Sequence, residues 1–396
     1  MKVNTDKKAI QEVLTRGVQE ILVEKDLYKK MSSGQQLRVK HGIDPTSSDL
    51  HLGYAVVYNK LRQLQEMGHK IVFLIGSFTA RFGDPTDKDK SRNLRSKEEV
   101  LALGEDYVRQ LSKILDIDKI ELRYNGEWYD KYSAEDLLKL MSKFTVARML
   151  ERDMFKKRIA DEKEIYYHEP VYPMLQGWDS VELKSDLTVI GSDQKFNELQ
   201  ARPLQEEAGQ VPQDLIMVPL LLGTDGVNKM SQSLGNYIGV AEPANEQFGK
   251  IMSIPDKLIY PYFELCTRIS ADELSEIEKE FKSGVNPKDL KVRLAKEIIN
   301  IYHGATAASQ AEEEFNKIFR DKGKPTDMPE FKTDSGTSLV EILVNSKIVS
   351  SKSEVRRLVE QGGVRVNDQV VDVWDGSGFK SGDIIQVGKR RFLKIK

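Results

Sequence analysis

The chain is poor in the residues that build metal and redox sites. It has one cysteine, Cys266, and five histidines among 396 residues. A lone thiol excludes a disulfide framework and any site made of several thiolates. Five scattered histidines exclude a histidine cluster, so no protein-held metal is expected. No apolar run reaches the about 18 residues that a membrane span needs, and the N-terminus lacks the pattern of a secretory leader. A soluble, cytoplasmic chain with no membrane contact is the expectation. Neither sign of charge dominates: 60 Lys and Arg face 62 Asp and Glu, a net charge of −2. Taken whole, that balance gives no hint of a nucleic-acid partner. What is present is 39% apolar residues and a length that suits two or three domains.

Along the chain, residues 5–31 carry apolar positions at helical spacing, and 37–43 reads as a strand. Asp49 is placed to cap a helix running past Leu64. The stretch 70–76 (KIVFLIG) is almost wholly apolar, as in a strand buried on both faces. A helix over 96–115 and a strand near 120–124 follow. Next come a helical stretch over 134–155, a helix around 172–179, a strand at 186–190, a helix opening at Ser192 and a strand at 215–222. Alternating strands and helices imply a doubly wound α/β domain with a parallel, Rossmann-like sheet over 1–225. A helical insertion falls at about 125–165. Residues 226–320 read as a helical domain. Residues 321–336 (DKGKPTDMPEFKTDSG) have no periodicity and read as a linker. Residues 337–396 read as a small α+β domain with short strands separated by turns at Gly362-Gly363, Asn367-Asp368 and Ser381-Gly382-Asp383.

The overall charge conceals an asymmetry. Residues 337–396 hold 11 Lys and Arg against 7 Asp and Glu, leaving 49 against 55 in the rest. The tail is therefore +4 on a body of −6. Its excess sits at Lys352, Arg356, Arg357, Arg365, Lys389, Arg390 and Arg391. A solvated surface would need no such concentration in one module, whereas contact with RNA phosphates would use it. The module also resembles the RNA-binding domain named after a ribosomal small-subunit protein.

Two loops look built for phosphate. Asp44-Pro45-Thr46 leads to His51-Leu52-Gly53-Tyr54 at a strand-to-helix junction, where helix N–H groups favour an anion. Lys229-Met230-Ser231-Gln232-Ser233 follows the last sheet strand, where a loop could cover a ligand at the strand ends. Either alone is compatible with an ordinary helix start or a polar connection. A third segment, Tyr172-x-x-x-Gln176-x-x-Asp179, sets three polar groups on one helix face. Exposure of that face is the competing explanation.

In this order and spacing, the two loops resemble the HIGH and KMSKS signatures of class I aminoacyl-tRNA synthetases. Gly83-Asp84-Pro85-Thr86 with Lys88 and Arg92 is similar to the family's basic pyrophosphate loop. Y-x-x-L-Q-x-x-D from Tyr172 and G-S-D-Q-x-x-N from Gly191 are similar to its bacterial tyrosyl branch. The resemblance implies ATP and L-tyrosine as substrates, tRNA(Tyr) as partner and a homodimer. It implies no prosthetic group, and Mg²⁺ arriving with ATP. It assigns Asp84, Tyr172 and Gln176 to the tyrosine ammonium, Asp179 to the phenol and Gln194 to the carboxyl end. It assigns Thr46, His51, Gly53, Met230 and Ser231 to ATP, Asp193 to the ribose and Lys229 to the α-phosphate. It places Phe144, Arg148 and Arg152 near a subunit interface and the tRNA acceptor stem.

The chain also departs from that family. Tyr54 replaces the second His of HIGH, and Gln232 the second Lys of KMSKS. Ile190 and Asp87 replace glycines, and Lys40 stands where one branch has a phenol-binding Tyr. With Tyr54, Gln232, Lys88 and Arg92 all facing the phosphates, tuned catalysis is the expectation. The alternatives are a non-catalytic RNA-binding paralogue and the tryptophanyl branch. Asp179 and the basic tail speak against the latter.

Overall fold

The computed structural model describes residues 2–45, 49–84, 95–319, 328–333, 336–388 and 391–396. Thr46, Lys88, Arg92, Lys389 and Arg390 lie outside the described residues. The chain forms two compact units, Met1–Ala305 and Thr306–Lys396.

The first unit is organised by a six-stranded sheet. Its strands are β1 (Glu20–Leu22), β2 (Arg38–Ile43), β3 (Lys70–Ile75), β4 (Glu121–Tyr124), β5 (Leu187–Gly191) and β6 (Asp214–Val218). Their order is β1-β6-β5-β2-β3-β4, all parallel except β1, which runs antiparallel to β6. The chain builds outward from β2 to β3 and β4, then returns to the other side of β2 for β5 and β6. That reversal leaves a crevice between the ends of β2 and β5, the usual ligand position in such sheets. Residues 71–75 of β3 are all buried, as their apolar run predicts.

Three local readings differ from the expectation. Residues 5–31 form helix Lys7–Thr15, strand β1 and helix Glu24–Ser32 rather than one helix. Gly17 turns the chain at φ +59°, and a Cβ there would lie 2.9 Å from Leu265. The apolar spacing persists across the break because both helices bury a face. Helix Leu52–Glu66 is capped by His51, not Asp49. The stretch 134–155 is divided among Ala134–Met141, Val146–Leu150 and Asp153–Ala160. Ser133 and Thr145 each cap a new helix with a side-chain oxygen, which stops the previous one from continuing.

Helices Ala244–Met252, Ile259–Cys266, Ala271–Ser283 and Pro287–His303 fall in the same unit as the sheet. Arg16 fastens the first helix to this region by donating to the carbonyls of Glu264 and Thr267. Cys266 is fully buried, a packing residue.

The second unit holds β7 (Glu330–Phe331), β8 (Val364–Val366), β9 (Gln369–Val370), β10 (Ile384–Val387) and β11 (Arg391–Ile395), in the order β7-β11-β10-β8-β9. Helices Leu339–Asn345 and Lys352–Glu360 pack on an aliphatic core that includes Leu343, Val355, Val364 and Ile385. Asn367 and Asp368 take left-handed φ values of 48° and 72°, closing the tight β8–β9 hairpin. Residues 330–331, inside the stretch read as linker, pair with β11 in parallel, and Glu330 meets Lys394 and Lys396. A partner some sixty residues away leaves no periodic trace in so short a strand.

Candidate active site

One cavity of about 1190 Å³ opens at the ends of β2 and β5. It takes in every described residue that the sequence put in contact with ATP or tyrosine. The two signature loops, distant in sequence, meet across it. Leu52 N donates to Ile238 O and Val240 N to Leu50 O, while the Gln232 amide donates to Asp49 O at 2.7 Å.

His51 lies at one end of the cavity. Its Nδ1 accepts from Gly53 N at 3.2 Å, and burial pushes its pKa down to about 4. At neutral pH the ring is uncharged, and with Nδ1 accepting, its proton lies on Nε2. The side chain is therefore a donor. Tyr54 stacks on it with ring centroids 4.4 Å apart. Across the cavity, Met230 is buried and Ser231 N donates to Asn236 Oδ1. Lys229 Nζ lies 3.6 Å from Asp193.

The opposite end is a buried polar network on helix Tyr172–Leu183 and its neighbours. Asp179 accepts from Trp128 Nε1 at 3.1 Å and Asn125 Nδ2 at 3.4 Å. Burial pushes its carboxyl up to about 7, with Lys40, Asn125 and Trp128 pulling against it. Tyr172 donates to Asp44, which also accepts from Thr79. Asp44 approaches the chain so closely that a Cβ on Gly76 would lie 1.9 Å from it, so position 76 must be glycine. Gln194 donates to Asp84 at 2.9 Å, and Arg152 lies 3.6 Å from the same carboxylate. Arg152, assigned by resemblance to an interface, is only 6% exposed.

Beneath these groups Lys40 and Glu198 form an ion pair at 3.0 Å, each side chain 1% exposed. Glu198 also accepts from Gln176 and Gln213, while Asn197 bridges Gln176 and Gln194. Lys40 is thus committed to the network as a charged donor, with Ser180 Oγ as a further partner at 2.7 Å.

Sequence reasoning named Asp44 only as the start of the first phosphate loop, with no role of its own, and missed Asn125, Trp128 and Glu198. Asp44 and Asn125 follow β2 and β4 at the strand ends where ligands bind, a usable signal. Trp128 and Glu198 gave none.

In the second unit Lys352, Arg356, Arg357 and Arg365 are exposed. Arg391 instead donates to Ile348 O at 2.6 Å, so part of its charge serves the domain itself.

A mainly parallel sheet with a polar cavity at its switch point, lined in part by a lysine-bearing loop, is the architecture of an α/β ligand-binding protein. The family pattern for tRNA synthetases class I (W and Y) matches residues 31–320, and that for the S4 domain residues 338–373. The chain belongs to the class I tRNA synthetases of the tryptophan and tyrosine branch. A tyrosine–tRNA ligase of Dehalococcoides mccartyi is 48% identical over 394 residues, covering 99% of each chain. One from Carboxydothermus hydrogenoformans is 49% identical over 397 residues, covering 97% of each. The mitochondrial tyrosyl-tRNA synthetase of Aspergillus nidulans shares the fold at TM-score 0.67 and 21% identity, over 79% of this chain and 95% of that one. So does the Archaeoglobus fulgidus tyrosyl-tRNA synthetase complexed with L-tyrosine, at TM-score 0.61 and 24% identity, over 78% and 99%.

Proposed function

We infer that the chain is an enzyme that joins L-tyrosine to tRNA(Tyr). The tyrosine carboxylate attacks the α-phosphorus of ATP and pyrophosphate leaves. A hydroxyl at the tRNA 3′ end then attacks the acyl carbon of tyrosyl-AMP, forming the ester and releasing AMP. The observation that carries this reading is Asp179, a buried carboxylate at the closed end of the cavity, suited to accept from a phenol. Exchange of labelled pyrophosphate into ATP tests it: tyrosine drives exchange, and tryptophan does not.

The other roles follow from position. Asp84 and Gln194, with Tyr172 and Gln176, hold the ammonium and carboxyl end of tyrosine. Substrate ammonium at Asp84 competes with Arg152 for the same carboxylate. His51 donates through Nε2 to phosphate, and Gly53 lets the nucleotide approach the backbone. Asp193 takes the ribose hydroxyls, which frees Lys229 for the α-phosphate. There one aimed donor is worth about 2.7–4 kcal/mol in the transition state. Thr46, Lys88 and Arg92 join the phosphate side by resemblance.

Gln232 acts differently from the lysine it replaces. Its amide already holds the loop to Asp49 O, so it contributes placement of Lys229 rather than charge. Tyr54 offers a hydroxyl and an aromatic face. Catalysis is positioning plus electrostatics, with no covalent enzyme intermediate.

Mg²⁺ enters as part of MgATP, held by phosphates and water. Among the described residues no group of three or more His, Cys, Asp and Glu is placed to hold a metal. Among them too, no helix is long and apolar enough to cross a membrane. The single buried thiol suits a reducing cytoplasm. The chain works as a homodimer through its insertion. Leu138, Val146 and Ile159 are exposed there, and Tyr166 and Tyr167 just beyond it, Tyr167 at 98%. So many exposed apolar side chains within thirty residues suit an interface. Light scattering checks this: a dimer mass is expected, and a 45.1 kDa species alone would count against it.

A further inference from the structure

We propose that Trp374 is a base-stacking residue of the C-terminal unit, taking one unstacked base of the bound tRNA. This rests on the reading that the unit binds RNA. Trp374 lies one residue beyond the stretch matched by the S4 pattern.

Three observations carry the inference. Among the described residues of the second unit, the exposed large apolar side chains are Val370 (46%), Val373 (55%) and Trp374 (36%), all within five consecutive positions. Nineteen other apolar side chains of this unit are in or packed against the aliphatic core. A patch of three side chains is far smaller than the roughly 800 Å² per partner of a stable protein interface. It is the right size for one base.

Second, the turn carrying the ring is fixed at both ends. Val371 N donates to Val364 O at 3.0 Å, and Gly376 O accepts from Leu339 N at 2.8 Å. The backbone that carries the ring is therefore held before any ligand arrives, which lowers the entropic cost of stacking.

Third, two cations adjoin the patch and two more are exposed on the helix that carries one of them. The Arg356 guanidinium lies 5.9 Å from the ring centroid while its Nε is held by Glu360 at 2.9 Å. Arg365 pairs in register with Val370, so both lie on one face of the β8–β9 hairpin. Arg357 and Lys352 are exposed on the adjoining helix. Asp372 and Asp375 flank the tryptophan, so a phosphate is disfavoured directly at the ring. A base is not: its exocyclic N–H groups can donate to a carboxylate. The division is thus phosphates to Arg357, Arg365 and Lys352, and a base to Trp374. Unstacked bases on aromatic side chains are the common mode of single-strand and loop recognition.

The test is tRNA binding by the full-length chain across a salt series, comparing W374A, W374F, R357A and R365A. W374A is expected to weaken binding about tenfold at every salt concentration, with W374F within about threefold of the parent. The salt slope should be unchanged in W374A, because no ionic contact is lost. It should fall by about one unit in each arginine variant. Exchange of pyrophosphate into ATP without tRNA should be unchanged in all four, which shows that the first unit is intact, and parent-like amide hydrogen exchange over residues 336–388 shows that the second unit is folded in each variant. If W374A binds like the parent while the arginine variants bind weakly, the RNA reading stands and the role of Trp374 falls. If W374A lowers the salt slope, Trp374 merely supports Arg356, which also overturns the proposal. If none of the variants affects binding, the RNA reading fails as well.

Discussion

Replacing Lys40 with methionine is expected to destabilise the first unit by about 3–5 kcal/mol, the cost of stranding one member of a buried ion pair. Lys40 and Glu198 are each 1% exposed, so neither can recover its lost interactions from water. With Lys40 gone, Glu198 keeps only the amide donors of Gln176 and Gln213. The double variant K40M/E198M should recover much of the stability, because replacing both charges by apolar groups removes the desolvation cost along with the attraction. Urea unfolding of the two single variants and the double reads the effect. A K40M midpoint close to the parent's would mean that the pair is solvated and the network is not the floor of the pocket. Even a stable double variant should bind tyrosine poorly, since Gln176 loses the acceptor that fixes its amide.

Asp179→Asn is expected to lower kcat/KM for tyrosine about 100-fold while leaving the fold intact. A hydrogen bond to a charged acceptor is worth up to about 3 kcal/mol, and each 1.36 kcal/mol is a factor of ten. The asparagine oxygen can still accept from Trp128, so packing is preserved. The Tyr-to-Phe preference should fall with it. A site built to bond a hydroxyl rejects the analogue without one because its own polar group is left unpaired, a rule for which tyrosine-specific ligases are themselves the standard illustration.

Two pH effects follow from the same carboxyl. Burial pushes it up to about 7. In the unfolded chain it ionises near 4, so folding is favoured at low pH and that contribution is lost as pH rises from about 4 to about 7. Asp179→Asn should remove this component of the stability profile. Tyrosine binding is expected to run the other way: the ionised carboxylate is the stronger acceptor for a phenol, so KM for tyrosine should rise as pH falls below about 7. Steady-state exchange rates across that range check the sign, and a flat KM would show that Asp179 does not meet the phenol.

Much of the scaffold was legible because the code for it is local. The apolar run over β3 is a buried strand, the helix expected over 96–115 runs over Lys97–Leu111, and Tyr172, Gln176 and Asp179 share one face. That face is buried against the sheet rather than exposed, as the pocket requires. The motif spacing placed His51 and Lys229 at one cavity, and the structure brings them there. What was hidden depends on contacts between distant positions. Lys40 and Glu198 are 158 residues apart, and Gln232 and Asp49 are 183 apart. No period in the sequence links either pair. Asp49 looked like the helix cap by residue type, yet His51 takes the role because its ring nitrogen reaches Gly53 N. Strand β1 was hidden in a helical pattern because its pairing partner, β6, lies about two hundred residues on.

The central claim is that Asp179, His51 and Lys229 form one working tyrosine-activating site despite Tyr54 and Gln232 in the signature loops. Amino-acid-dependent exchange of labelled pyrophosphate into ATP, run on the purified chain with each of the twenty amino acids, tests it most directly. Exchange with tyrosine, weak or none with phenylalanine and none with tryptophan is the predicted result. No exchange with any amino acid, alongside intact tRNA binding, would contradict it and make the chain a non-catalytic RNA-binding relative.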